Sequence, residues 1–302
     1  MNPFYSDIPG ATTWEVVEPV LKGWSKDKKY YIKTISGSEL LLRTSEISQY
    51  DQKKREYEAI LLLDDQDILM SRPLQFGICN GGQTVYSLLT WIEGEDAEKI
   101  IPMLSSEEQY QRGVTAGQYL KSMHQMPARK DQVPWADYYN GKIDKYITNY
   151  KTCGLLLKGA DKVIQYIEAN RYLLANRPQT FQHGDYHVGN MIVTKSGDLG
   201  IIDFNRFDYG DPWEEFNRIT WCAFMSPAFA SGRIHGYFNN DVPDLFLRLM
   251  ALYIASNQLS SIHWAISFGE EEAANMLSRA EKVLEWYDDF RTYIPKWYWA
   301  SK

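Results

Sequence analysis

The chain has 302 residues, 44% hydrophobic and 24% charged, which is enough apolar content for a sizeable core and too much for a disordered chain. A formal net charge of -7 argues against general nucleic-acid affinity and suits a cationic partner. No apolar run is long enough for a bilayer span, the opening MNPFYSDIPGATTW lacks a signal-peptide pattern, and Cys79, Cys153 and Cys222 are odd in number without CxxC spacing, so we expect a cytoplasmic protein with reduced thiols and neither membrane nor nucleic-acid partners.

Apolar runs alternating with turns predict three antiparallel strands at 18–24, 29–35 and 40–44. The spacing of Tyr57, Ile60 and Leu61 predicts a helix over 50–63, and strands at 73–79 and 83–91 join through Asn80-Gly81-Gly82 as a hairpin. Near Glu93 the strand pattern ends. From Asp96 onward the pattern is mainly helical, with Tyr110, Val114, Gly117, Leu120 and His124 on one face of 106–125 and further helices at 135–150 and 161–175. His124, just before Pro127, reads as a packed or capping histidine.

Residues 181–206, FQHGDYHVGNMIVTKSGDLGIIDFNR, concentrate the chemistry. Apolar runs at 191–194 and 199–202 flank Lys195-Ser196-Gly197-Asp198 and predict a β-hairpin. Asn190 opens its first strand, Asp203 closes its second, and Asp185 lies on the loop that feeds it. Two carboxylates and an amide oxygen in this order suit magnesium-assisted phosphoryl transfer, because a hard cation takes oxygen ligands and a hydroxyl nucleophile needs a carboxylate to orient and deprotonate it. A rival reading makes His183, Asp185 and His187 ligands of a transition-metal hydrolase, but no further His or Cys lies near them in sequence. Asp211-Pro212 before Glu214 and Glu215 is a helix-start signal with Asp211 as N-cap. Asp208 reads as the more exposed carboxylate, able to approach substrate, and Glu270-Glu271-Glu272 as a solvated helix start.

His-x-Asp, an Asn five residues later, and apolar-apolar-Asp-Phe follow the order of the protein-kinase catalytic loop and metal-binding aspartate, with Gly184, His187 and Asn205 as departures. HGDYHVGN and IIDF closely resemble the aminoglycoside phosphotransferase and choline kinase family of small-molecule kinases. The resemblance extends to the strand-strand-strand-helix-strand-strand order of the N-terminal part. It implies an α/β, two-lobed, protein-kinase-like fold: a nucleotide-binding lobe over 1–93 with a five-stranded antiparallel sheet and one helix, and a larger, mainly helical lobe over 94–302 that bears the catalytic hairpin and substrate site.

The resemblance also implies roles. Asp185 is the expected catalytic carboxylate, and Asn190 and Asp203 are the expected magnesium ligands. Arg43 occupies the place of the family's phosphate-binding lysine, with Glu56 favoured over Glu58 as its partner. Ser25 and the backbone of the 23–28 turn are expected on the phosphates, although that turn lacks GxGxxG and equally describes a solvated hairpin tip. Trp91 and Ile92, in a hinge over 89–93, are expected at the nucleobase. The Gly-Asp-Pro segment at Asp211 is expected to buttress the catalytic loop. Expected co-substrates are ATP or GTP with Mg2+, and the expected acceptor is a hydroxyl of a small molecule, in the first place an aminoglycoside-like antibiotic. Choline-like and homoserine-like alcohols stay open, as does a nucleotide-binding regulatory module without transfer activity.

Overall fold

The computed structural model describes residues 3–21, 27–128 and 131–299. The first elements are β1 (Trp14–Val20), β2 (Lys28–Thr34), β3 (Glu39–Glu46), α1 (Tyr50–Leu61), β4 (Pro73–Cys79), β5 (Thr84–Thr90) and β6 (Gly94–Asp96). Next come α2 (Ala97–Ile100), α3 (Ser106–Met123), α4 (Trp135–Thr152), α5 (Ala160–Asn170), β7 (Thr180–Gln182), β8 (Met191–Thr194), β9 (Leu199–Ile201) and β10 (Asp208–Gly210). The chain closes with α6 (Ile219–Met225), α7 (Pro227–Phe238), α8 (Asp244–Ala265) and α9 (Glu270–Trp286). Two compact units result, one formed by Met1–Asp96 with Met191–Phe207 and the other by Ala97–Asn190 with Asp208–Lys302.

In the first unit a five-stranded antiparallel sheet has the order β1-β2-β3-β5-β4. Its first strand starts at Trp14, earlier than the expected residue 18, because Trp14 and Val17 pack against a core of Ile8, Ile32, Leu42, Cys79, Tyr86 and Leu88. Side chains alternate across a strand. With Leu42 in that core, Arg43 faces the opposite side, paired in register with Lys29 of β2 and Ser87 of β5. A cation is thus placed on the non-core face by the same pattern that builds the core.

The β8–β9 hairpin forms as expected, but it belongs to the first unit and not to the helical part of the chain. Antiparallel pairing of β8 with β6 places it there, and the Ile201 N–H donates to the Leu69 carbonyl at 2.8 Å. A strand needs a ladder partner, and β6 supplies one.

The second unit is built on helices. α8 is buried around most of its circumference, the mark of a central core helix. Beside it α3 and α7 cross at backbone contact distance through two glycine pairs. A Cβ at Gly113 or Gly117 would lie 2.1 Å from the carbonyl oxygen of Phe229 or Arg233, and one at Gly232 or Gly236 would lie 2.2 or 2.1 Å from that of Tyr110 or Val114. Only glycine permits this approach, and it brings Arg233 of α7 into the unit's interior, fully buried. The two-stranded β7–β10 ladder aligns Asp208 with Gln182 and so fixes the point where the 183–190 loop begins. No helix among the described residues is long and apolar enough to cross a membrane.

Candidate active site

The loop from His183 to Asn190 is held in the second unit by its own backbone. The Asp185 carbonyl accepts the His187 N–H at 3.0 Å and the Asn190 Nδ2 at 2.9 Å, and the Asn190 N–H donates to the His187 carbonyl at 2.9 Å. Fully buried His183 accepts the Asp185 N–H at Nδ1, 3.3 Å away, and so helps to hold the loop. Gly184 has φ +79°, a left-handed conformation that an L side chain would strain, and its N–H donates to Glu215 Oε1 at 2.9 Å. The glycine is required by the backbone, whatever room it also leaves for a substrate.

Asp185 is partly buried. Its Oδ1 lies 3.0 Å from Arg218 Nε and 3.5 Å from His187 Nε2. Because His187 Nδ1 accepts the Gly189 N–H at 3.1 Å, its ring proton sits on Nε2, toward the carboxylate. Burial lowers His187 to about 4, against the opposing pull of Asp185, so the ring is neutral at pH 7. Asp185 is therefore paired with one full cation, and the neutral ring stands 3.5 Å from it without a hydrogen bond to Oδ1. Sequence reasoning passed over Arg218; its only signal was a cation soon after Glu214 and Glu215.

Behind the loop stands a buried polar frame. Arg233 donates to the Tyr186 carbonyl at 2.8 Å and the Glu215 carbonyl at 3.1 Å, with its guanidinium 4.6 Å from the Tyr186 ring centroid and 4.8 Å from that of Phe216. His124 is buried beside Glu215, accepts or donates a hydrogen bond with Tyr237 at 2.9 Å, and is kept toward its neutral form by burial. Asp211 is wholly buried. It takes two hydrogen bonds from Arg177 at 2.6 and 3.0 Å, one from the Tyr253 hydroxyl at 2.6 Å and one from the Trp213 N–H at 3.0 Å, and its carbonyl accepts Gln182 Nε2 at 2.8 Å. The expected helix at Pro212 does not form: a turn comes first, and a short 3-10 helix starts at Glu214. Asp211 still caps a backbone N–H, but burial with Arg177 is its main setting. Asp208 is exposed and accepts the Tyr209 N–H.

In the first unit, six charged side chains gather on the non-core face of the sheet. Arg43 Nη2 lies 2.7 Å from Asp27 Oδ2 and Arg43 Nη1 lies 3.2 Å from Asp203 Oδ1. Lys53 Nζ sits 2.9 Å from both Asp27 and Glu56, and Lys29 Nζ is 3.8 Å from Asp203 Oδ2. The expected Arg43–Glu56 pair is corrected by this geometry. Glu56 is buried on α1, but Lys53, one turn before it, takes its carboxylate, and Asp27 and Asp203 take Arg43. Glu58 is exposed beside Lys54.

Asp27, only 3% exposed, was not anticipated. Burial pushes its carboxyl up, but Arg43, the Ser45 hydroxyl at 2.7 Å and Lys53 outweigh that and hold it below its ordinary value. The pull of Asp203 and Asp27 likewise outweighs the burial of Arg43 and raises its pKa. Lys29 goes the other way, lowered by burial.

Ser25 lies outside the described residues. The Trp91 N–H donates to the Glu39 carbonyl at 3.1 Å, extending the β3–β5 ladder one step beyond Leu40 and Thr90, so that donor is not available to a nucleobase. The Trp91 ring packs edge-on to Tyr31 at 5.1 Å. Ile92 packs over Gly200. As for a metal, Asp203 presents a partly exposed carboxylate, and Asn190 commits its amide nitrogen to the loop, which leaves the oxygen as its donor to a cation. Such donors suit magnesium. Among the described residues no three His, Cys, Asp or Glu side chains converge as a metal cage, and His183 and His187 each accept a loop N–H at Nδ1.

A model of the Phosphotransferase enzyme family matches residues 16–247. No curated protein sequence matches the chain. Among solved structures, a thermostable mutant of aminoglycoside phosphotransferase APH(4)-Ia in ternary complex with ADP and hygromycin B is similar at 13% identity and TM-score 0.67, over 90% of this chain and 94% of that one. The gentamicin-APH(2")-IIa complex is similar at 18% identity and TM-score 0.62, over 88% and 91%. ADP-bound APH(2'')-Ib is similar at 15% identity and TM-score 0.65, over 91% and 96%. At these identities the likeness establishes a kinase-like fold.

Proposed function

The chain belongs to the phosphotransferase enzyme family, and from that premise we propose that it moves the γ-phosphoryl group of ATP or GTP, with Mg2+, onto a hydroxyl of a small molecule. The observation that carries this reading is the setting of Asp185, a partly buried carboxylate whose Oδ1 lies 3.0 Å from the Arg218 guanidinium, with the His187 ring beside it. A base fixed in this way accepts the acceptor's proton without first having to reorient. Neutral His187 stands beside it without adding a second charge.

Magnesium, when bound, neutralises charge on the transferring phosphates; Asp203 and Asn190 are the residues we assign to it. Arg43 is assigned to the nucleotide phosphates, with Lys53 and Lys29 as neighbouring cations that sequence reasoning did not single out. Recognition of the nucleobase falls to groups of the 89–93 segment other than the Trp91 N–H. The hygromycin B and gentamicin in the similar structures make hydroxylated ring compounds the first acceptors to try.

The test pairs nucleotide affinity by calorimetry with transfer rate. Positioned general-base catalysis contributes about 10² to 10⁴ in rate, so Asp185→Ala should lose turnover on that order while the nucleotide Kd stays near that of the parent. Transfer within about tenfold of the parent in a folded Asp185→Ala protein lies below that range and removes Asp185 from the role.

A further inference from the structure

Beyond Asp185 the second unit carries an arginine that the transfer chemistry leaves unused. The His187 ring lies against Trp221 with centroids 5.6 Å apart, and on Trp221 rests the guanidinium of Arg279, 4.0 Å from that ring centroid and 5.1 Å from the Phe224 centroid. His187 Nε2 is the group facing Asp185 Oδ1, so the run Asp185, His187, Trp221, Arg279 is continuous. Arg218, on Asp185 itself, is a second arginine at the other end of that run.

Stacking uses the faces of a guanidinium and leaves its in-plane N–H groups for a planar anion. The neutral Asn275 Oδ1 takes the Nε of Arg279 at 3.4 Å, and among the described residues no carboxylate lies within ion-pair distance of it. Burial lowers the pKa of Arg279, and the pulls of Glu272 and Glu98 do not offset it. A half-buried cation left in that condition is a binding group for an anion. Glu270, Glu271 and Glu272 occupy the first turn of α9, the helix start expected of them, where they meet the positive end of the helix.

We propose that Arg279, supported by Trp221, binds an anionic group of the acceptor, so that the preferred substrate is a hydroxylated compound bearing a carboxylate or phosphate and not a polycationic aminoglycoside. This rests on the phosphotransferase reading of Asp185. A polycation would meet Arg279 along the run that leads from the base, whereas an anion would be drawn to it.

The test follows magnesium-nucleotide consumption by the full chain with matched pyranoses, namely glucose, glucosamine, glucuronate and glucose 6-phosphate, and with gentamicin. The expected result is turnover with the lowest KM for glucuronate or glucose 6-phosphate, the better of the two telling carboxylate from phosphate. A hydrogen bond to a charged group contributes about 1.5–3 kcal/mol, so Arg279→Gln should raise that KM roughly 10- to 100-fold with kcat changed far less. Arg279→Lys should recover part of the loss, since the charge persists but the fork does not. Preference for glucosamine or gentamicin overturns the proposal and leaves phosphotransfer standing. So does an unchanged KM for the anionic sugars in folded Arg279→Gln, which would make the stack on Trp221 packing alone. Bound nucleotide with no stimulation by any compound of the set overturns the transfer reading and this inference with it.

Discussion

The charged clusters of the two units differ in what their side chains hold. In the second unit Arg233 and Glu215 bind backbone groups of the 183–190 loop, and Asp211 binds both backbone and buried side chains. In the first unit Arg43, Lys53, Lys29, Asp27, Glu56 and Asp203 bind one another. Charges anchored to backbone set one geometry, because moving them would orphan buried groups. Charges anchored to other side chains can exchange partners when an anion or a cation arrives. The first kind of cluster holds a loop in one geometry, and the second is the kind that the proposed phosphate and metal binding requires.

The largest effect should come from breaking the rigid side. Arg233→Ala leaves the Tyr186 and Glu215 carbonyls without their donor and opens a cavity between two rings, at a cost of about 3–5 kcal/mol in denaturant unfolding. A loss below about 1 kcal/mol, the size of one ordinary hydrogen bond, would mean that the loop does not depend on this frame.

A smaller effect is expected on the exchangeable side, and in binding more than in stability. Arg43→Ala should weaken nucleotide binding by about 1.5–3 kcal/mol, read as Kd by calorimetry, and Arg43→Lys should keep much of the affinity because the charge persists. If Arg43→Ala binds nucleotide as the parent does, the phosphate contact passes to Lys53 or Lys29.

The smallest effect concerns Asp27. Arg43 keeps Asp203, Lys53 keeps Glu56, and the amide oxygen of Asn can still accept the Ser45 hydroxyl, so Asp27→Asn should cost about 1–2 kcal/mol at pH 7, less than an isolated buried pair. The folded carboxyl lies below its ordinary value of 3.8, so its stabilisation is present above that pH and is lost as pH falls through the lower folded value. Unfolding curves of parent and variant should therefore converge in acid. A gap that persists well below pH 3.8 would assign the loss to packing rather than charge.

What local pattern can report, the sequence by itself determined. Alternation places Leu42 in the core and Arg43 across from it, a glycine turn joins two apolar runs into the β8–β9 hairpin, and the order His183, Asp185, Asn190, Asp203 marks the family. Partner choice was not legible. Glu56 lies on the expected helix, yet Lys53 takes it; Arg43 reaches Asp27 and, 160 positions away, Asp203; the Trp91 N–H closes a ladder step; and Arg218 meets Asp185 and Arg279 meets Trp221 with no motif to announce either. Periodicity and spacing act through backbone geometry over a few residues, so they specify the face on which a side chain emerges. The group it meets there depends on which distant segments are packed against that face, and only tertiary structure, through contacts such as the paired glycines of α3 and α7, decides that.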